Sequence, residues 1–98
     1  MIYERLSTGP ENAVTLRYLA NLLDMDERAV RAQIARERKV GRIIISDNEH
    51  GYFRPSNTEE IKRFYHSMSH RAKEILAVAR MAEDALAAAE GQEQVEGW

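Results

Sequence analysis

The stretch from Thr15 to Gly41, TLRYLANLLDMDERAVRAQIARERKVG, constrains the fold more than any other. Leu16, Leu19, Ala20 and Leu23 recur at helical spacing and define one face of a first helix. Thr15 is placed to cap it, its hydroxyl accepting one of the amide protons that a first turn leaves free. The pattern breaks at Asp24-Met25-Asp26, where Asp26 can cap a second helix and Met25 can plug the gap between the two. In that second helix Ala29, Val30 and Ile34 point inward, while Arg28, Arg31, Ala32 and Ala35 lie on the outer face with Arg36 beside them. Two helices, a turn of about three or four residues and a basic outer face of small residues describe a helix-turn-helix.

The flanks extend that unit. Met1 to Leu6 reads as a short helix with Ile2, Tyr3 and Leu6 as its apolar positions, and residues 7–12 are turn material. Ala13-Val14 is an extended dipeptide, where a small sheet can start. Gly41 is suited to end the second helix, because it adopts a left-handed backbone conformation at little cost. Residues 42–46, RIIIS, read as a strand whose three consecutive isoleucines leave the buried face open. Asp47 to Gly51 is a turn, and Tyr52-Phe53-Arg54 a returning strand that Pro55 stops. The fold class expected is mainly α with a small β-hairpin wing (α+β).

From Asn57 to Glu90 the chain reads as one long helix, roughly 50 Å in length. Ser56, Asn57 and Thr58 are candidate caps, and Glu59 and Glu60 suit its positive end. Ile61, Tyr65, Met68, Ala72, Ile75, Ala79, Ala82, Leu86 and Ala89 form a seam spaced alternately four and three, which Phe64, Leu76 and Val78 widen. Ile61, Phe64 and Tyr65 are expected to close the core of the first domain. Met68, Ala72, Ile75, Ala79, Ala82 and Leu86 are left as a dimerisation seam, with a second copy the expected partner. Residues 1–56, 57–90 and 91–98 are thus expected to be a helix-turn-helix domain with a wing, a long helix and a disordered tail.

Charge separates along the chain. Residues 1–80 hold all 14 Lys and Arg against 11 acids, and residues 81–98 hold five acids and no base. The overall charge of −2 therefore hides a basic region able to bind phosphate. The chain lacks cysteine, which rules out disulfides, thiol catalysis and cysteine-ligated zinc. No apolar run nears the roughly 20 residues of a membrane span and no signal peptide is visible, so a cytoplasmic protein is expected. His66, His70 and Glu74 share a helix face at metal-ligand spacing. They lie opposite the seam and are crowded by Arg71 and Lys73, so no metal is expected. No glycine-rich phosphate loop or carboxylate and histidine cluster suggests an enzyme, and no cofactor or small-molecule ligand is expected.

The runs LRYLANLLDMDERAVRAQIARERKVG and GRIIISDNEHGYFRPS resemble the winged-helix domain of the biotin-operon repressor type. They are still more similar to small winged-helix proteins of bacteriophage and prophage genomes. The resemblance covers about residues 13–56 and the long helix after them, and includes the Gly51-Tyr52 pair on the wing's return. It implies a homodimeric, sequence-specific binder of double-stranded DNA that regulates transcription or replication. Arg28 and Arg31 would reach base edges beside Ala32 and Ala35, and Arg36, Arg38, Lys39 and Arg42 would hold phosphates. The sequence departs from the pattern at Glu37, where a large apolar residue is usual, so the end of that helix is expected to be less buried. Asp47 and Glu49 at the wing tip would repel phosphate and keep the wing out of a groove. The competing expectation is a winged-helix interaction module in a phage replication or packaging assembly.

Overall fold

The structure, a computed structural model, describes residues 1–96 and falls into two compact units, residues 1–64 and the remainder. The first unit opens with helix α1 (Ile2–Arg5) and a 3₁₀ turn at Pro10–Asn12, followed by α2 (Leu16–Leu23) and α3 (Glu27–Lys39). A hairpin of β1 (Ile45–Asp47) and β2 (Gly51–Phe53) comes next, and then α4 (Thr58–Glu96), which runs on into the second unit. The chain is therefore mainly helical with one antiparallel hairpin and a long C-terminal helix, in the order expected.

Local chemistry explains the boundaries. Thr15 Oγ1 accepts from the Tyr18 amide at 3.0 Å, and Asp26 Oδ1 from the Ala29 amide at 2.7 Å, so both helices of the motif begin at side-chain caps. Asp24 takes a left-handed conformation (φ 52°) to end α2, and Met25 packs half-buried against the core between the helices. At the end of α3 the amide of Gly41 donates to Arg38 O at 3.1 Å and that of Arg42 to Glu37 O at 3.0 Å. With Gly41 at φ 96°, this is the paired arrangement that satisfies the last carbonyls of a helix. Asn57 Oδ1 receives the Glu60 amide at 2.9 Å, and Glu60 reaches back to the Ser56 amide at 2.8 Å, starting α4.

The core gathers Ile2 and Leu6 from α1, Leu19 and Ala20 from α2, Val30 and Ile34 from α3, and Ile44 before the hairpin. Each large side chain among them contributes about 1.5–3 kcal/mol by leaving water. Of the three isoleucines, Ile44 and Ile45 are buried and Ile43 is 36% exposed. β1 starts only at Ile45, so Ile44 escapes strict alternation and fills the core below the sheet. Tyr52 pairs with Ser46 on one side and with Val14 on the other, exchanging amide and carbonyl with Val14 at 3.0 and 2.8 Å. The Ala13-Val14 dipeptide thus joins the sheet as a single bridge.

One expectation about α4 needs correcting. Ile61 and Phe64 are half-buried in the first unit, which therefore extends past Ser56, but Tyr65 is 64% exposed. One residue beyond Phe64 is about 100° further round the helix, so both rings cannot face inward. The helix runs on from Gly91 to Glu96, residues of the expected tail. Gly91 costs a helix about 1 kcal/mol, and the Gln and Glu that follow are good helix formers. The last two residues of that tail, 97 and 98, lie outside the described residues. In the second unit every side chain from His70 to Glu90 is exposed, including Ile75, Leu76 and Leu86. Among the described residues, no helix is long and apolar enough to cross a membrane.

Candidate nucleic-acid interface

Helix α3 buries one face and exposes the other. Val30, Ile34 and Glu37, one turn apart, are 0, 2 and 5% exposed. Arg28, Arg31, Ala32 and Ala35 recur at the same period on the opposite face and are all exposed. Arg28 and Arg31 sit in the first turns, just beyond the Asp26 cap. Arg36 and Lys39 are exposed alongside. The result is a basic strip of four cations flanking two alanines, with short side chains where a partner surface would come closest.

Glu37 overturns the expectation drawn from its polarity. It is among the most buried residues of the chain, and its carboxylate accepts the amides of Ile2 and Tyr3, both at 2.9 Å, and Gln33 Nε2 at 2.7 Å. An acid from α3 thus caps α1, satisfying amides that a helix N-terminus leaves free. Burial pushes the Glu37 carboxyl up, but the bonds from Gln33, Tyr3 and Ile2 together outweigh it and hold the group below its ordinary value of 4.5. Gln33 Oε1 in turn accepts Arg36 Nη2 at 2.7 Å, linking the basic strip to α1 through a chain of hydrogen bonds. That chain borders an open cleft of about 310 Å³ lined by Met1, Gln33, Arg36, Glu37, Val40 and Arg42. Sequence reading missed Gln33, although a Gln and a Glu four apart on an inward face signal such a pair.

Two of the expected phosphate ligands are engaged inside the domain. Arg38 directs Nε and Nη2 to the carbonyl of Ile44 at 2.9 and 2.6 Å, and Nη2 to Ser46 Oγ at 3.2 Å. Its guanidinium also lies 5.0 Å from the Phe64 ring centroid. The carbonyl of fully buried Ile44 needs a donor, and Arg38 is the side chain within reach. Arg42 pairs with Glu4 at 3.4 Å and lies over the Tyr3 ring at 5.3 Å. Both arginines tie the end of α3 to its neighbours, and the exposed cations of α3 itself are Arg28, Arg31, Arg36 and Lys39.

The two acids of the hairpin tip differ. Asp47 accepts the amides of Glu49 and His50, and its Oδ2 is 3.1 Å from His50 Nδ1. Partial burial raises the Asp47 carboxyl, but its bonds to His50 more than offset this and hold it below the ordinary aspartate value. Both acids are exposed, but it is Asp47 whose bonds build the turn. On the DNA-binding reading proposed below, replacing Glu49 with lysine should leave the turn intact, strengthen binding to any duplex by about 0.5–1 kcal/mol and steepen its salt dependence, as read in salt titrations. Weaker binding would mean that Glu49 itself makes a specific contact.

Of the spaced trio on α4, His70 Nε2 meets Glu74 Oε1 at 3.1 Å, and His66 packs against the Tyr65 ring at 5.2 Å. Among the described residues no group of three or more His, Asp or Glu side chains is arranged to hold a metal ion. No family model, no curated protein and no solved structure matches the chain.

Proposed function

We propose that the protein binds double-stranded DNA in a sequence-specific manner through α3, as a homodimer joined by α4. The observation carrying this reading is the exposed strip of Arg28, Arg31, Ala32 and Ala35 on the second helix of a helix-turn-helix. In a winged helix this element enters the major groove, and residues near its start go deepest. Arginine there meets the two acceptors of a guanine edge, while Arg36 and Lys39 hold phosphates. A dimer presents two such helices and favours a two-fold symmetric site. Such a protein acts in the cytoplasm as a regulator of transcription or replication, with no catalytic step.

Replacing Arg28 or Arg31 with alanine should cost about 1–3 kcal/mol at the preferred site and little on random duplex. Both are exposed, so the fold should survive. Lys39→Ala should weaken all sequences alike and lower the salt slope by about one unit. Selection from a random duplex pool followed by titration of the three variants tests this. Unchanged binding by the two arginine variants would end the assignment. A second reading, an interaction module, is favoured by the engagement of Arg38 with the buried Ile44, the surface pairing of Arg42 with Glu4 and the exposed Glu49 of the hairpin. Absence of salt-dependent binding to random duplex would support that alternative.

A further inference from the structure

Past Glu59 and Glu60 in its first turn, α4 segregates charge along its length. Residues 61–80 carry five bases and one acid, and residues 81–96 five acids and no base. In the second unit every side chain from His70 to Glu90 is exposed, and Ile75, Leu76, Val78, Met81 and Leu86 are 49–67% exposed. Propensity alone stabilises a helix weakly, and an apolar seam of this length needs a covering surface. Spacing within the seam also has a symmetry. Reversed about Ala77, it falls on itself, with Tyr65 opposite Ala89, Met68 opposite Leu86, Ala72 opposite Ala82 and Ile75 opposite Ala79. Tyr65 and Ile75 then each face an alanine, whereas Met68 meets Leu86 and Ala72 meets Ala82. At the flanking positions Leu76 meets its own copy and Lys62 meets Glu90.

We infer that α4 pairs antiparallel with α4 of a second copy, centred near Ala77, a pairing that rests on the homodimer reading above. The basic half of each helix then lies against the acidic half of the other. A parallel, in-register pair would instead set Glu83, Asp84 and Glu90 beside their own copies within a Debye length of about 10 Å, and would place no acid across from Lys62 at the flanking position.

The full chain lacks cysteine, so Arg63→Cys introduces a single nitroxide site per copy, at an exposed outer position. Sedimentation should show a dimer, and dipolar distance measurement should give a separation of about 45 Å, against roughly 25 Å or less for a parallel pair. In unlabelled protein Glu90→Lys should raise the dimer dissociation constant about threefold to tenfold. Adding Lys62→Glu to it should bring the constant back to within about twofold of the parent. A short separation in a confirmed dimer, or failure of the second charge change to restore association, overturns the antiparallel order and leaves the dimer standing. A monomer at every concentration overturns both.

Discussion

Glu37→Ala is expected to destabilise the first unit by about 3 kcal/mol in denaturant melts. The change removes three hydrogen bonds and leaves the amides of Ile2 and Tyr3 without an acceptor, each an expense of about 1–3 kcal/mol in a buried setting. The loss is bounded by release of α1, which would expose Ile2 and Leu6 while letting water reach those amides. Increased hydrogen exchange at residues 2–6 would accompany it. Glu37→Gln should cost less, about 1–2 kcal/mol, because one carbonyl acceptor remains while the other oxygen becomes a donor facing an amide. Acid sensitivity supplies an independent readout. A carboxyl held below its ordinary value contributes stability that is present above pH 4.5 and is lost as pH falls through the folded value. The stability difference between parent and Glu37→Gln should therefore shrink as pH drops below about 4.5. A difference that stays constant down to pH 3 would show that the carboxylate charge contributes nothing.

Gly51→Ala should be the most damaging small substitution in the hairpin, at about 4 kcal/mol. Gly51 has φ 110°, outside the conformations that alanine adopts readily, and this strain accounts for about 1–3 kcal/mol. A Cβ there would also stand 2.3 Å from the carbonyl oxygen of Val14, an atom fixed in the Val14–Tyr52 bridge. Backbone cannot yield as a flexible side chain does, so the bridge must open, adding roughly 1–3 kcal/mol. Gly41→Ala is the matched control. Its φ is 96° but nothing lies within 4 Å of the added atom, so only the strain remains and the cost should be about 1–2 kcal/mol. Equal losses for the two variants in thermal or denaturant melts would show that the close approach to Val14 is unimportant. The Gly-Tyr pair on the hairpin's return thus has a local reason: only glycine lets β2 pass that close to the extended segment leading into α2.

Features set by neighbours in sequence were legible before the structure. The caps at Thr15 and Asp26, the left-handed Gly41 and the buried positions Leu19, Val30 and Ile34 all follow from interactions within a few residues, and the structure has them. The same periodicity placed Arg28, Arg31, Ala32 and Ala35 on the exposed face of α3. Tertiary structure decided what depends on distant partners. Glu37 reads as a surface residue until amides 34 and 35 positions away come to meet it. Arg38 and Arg42 have the composition of phosphate ligands, yet a buried carbonyl and an acid from α1 engage them. Which isoleucine enters the core was likewise settled by where β1 begins, because register is a property of the pairing with β2 and not of the residues themselves. Periodicity reports which side of a helix is apolar. It carries no information about which polar groups the fold will bring within hydrogen-bonding distance.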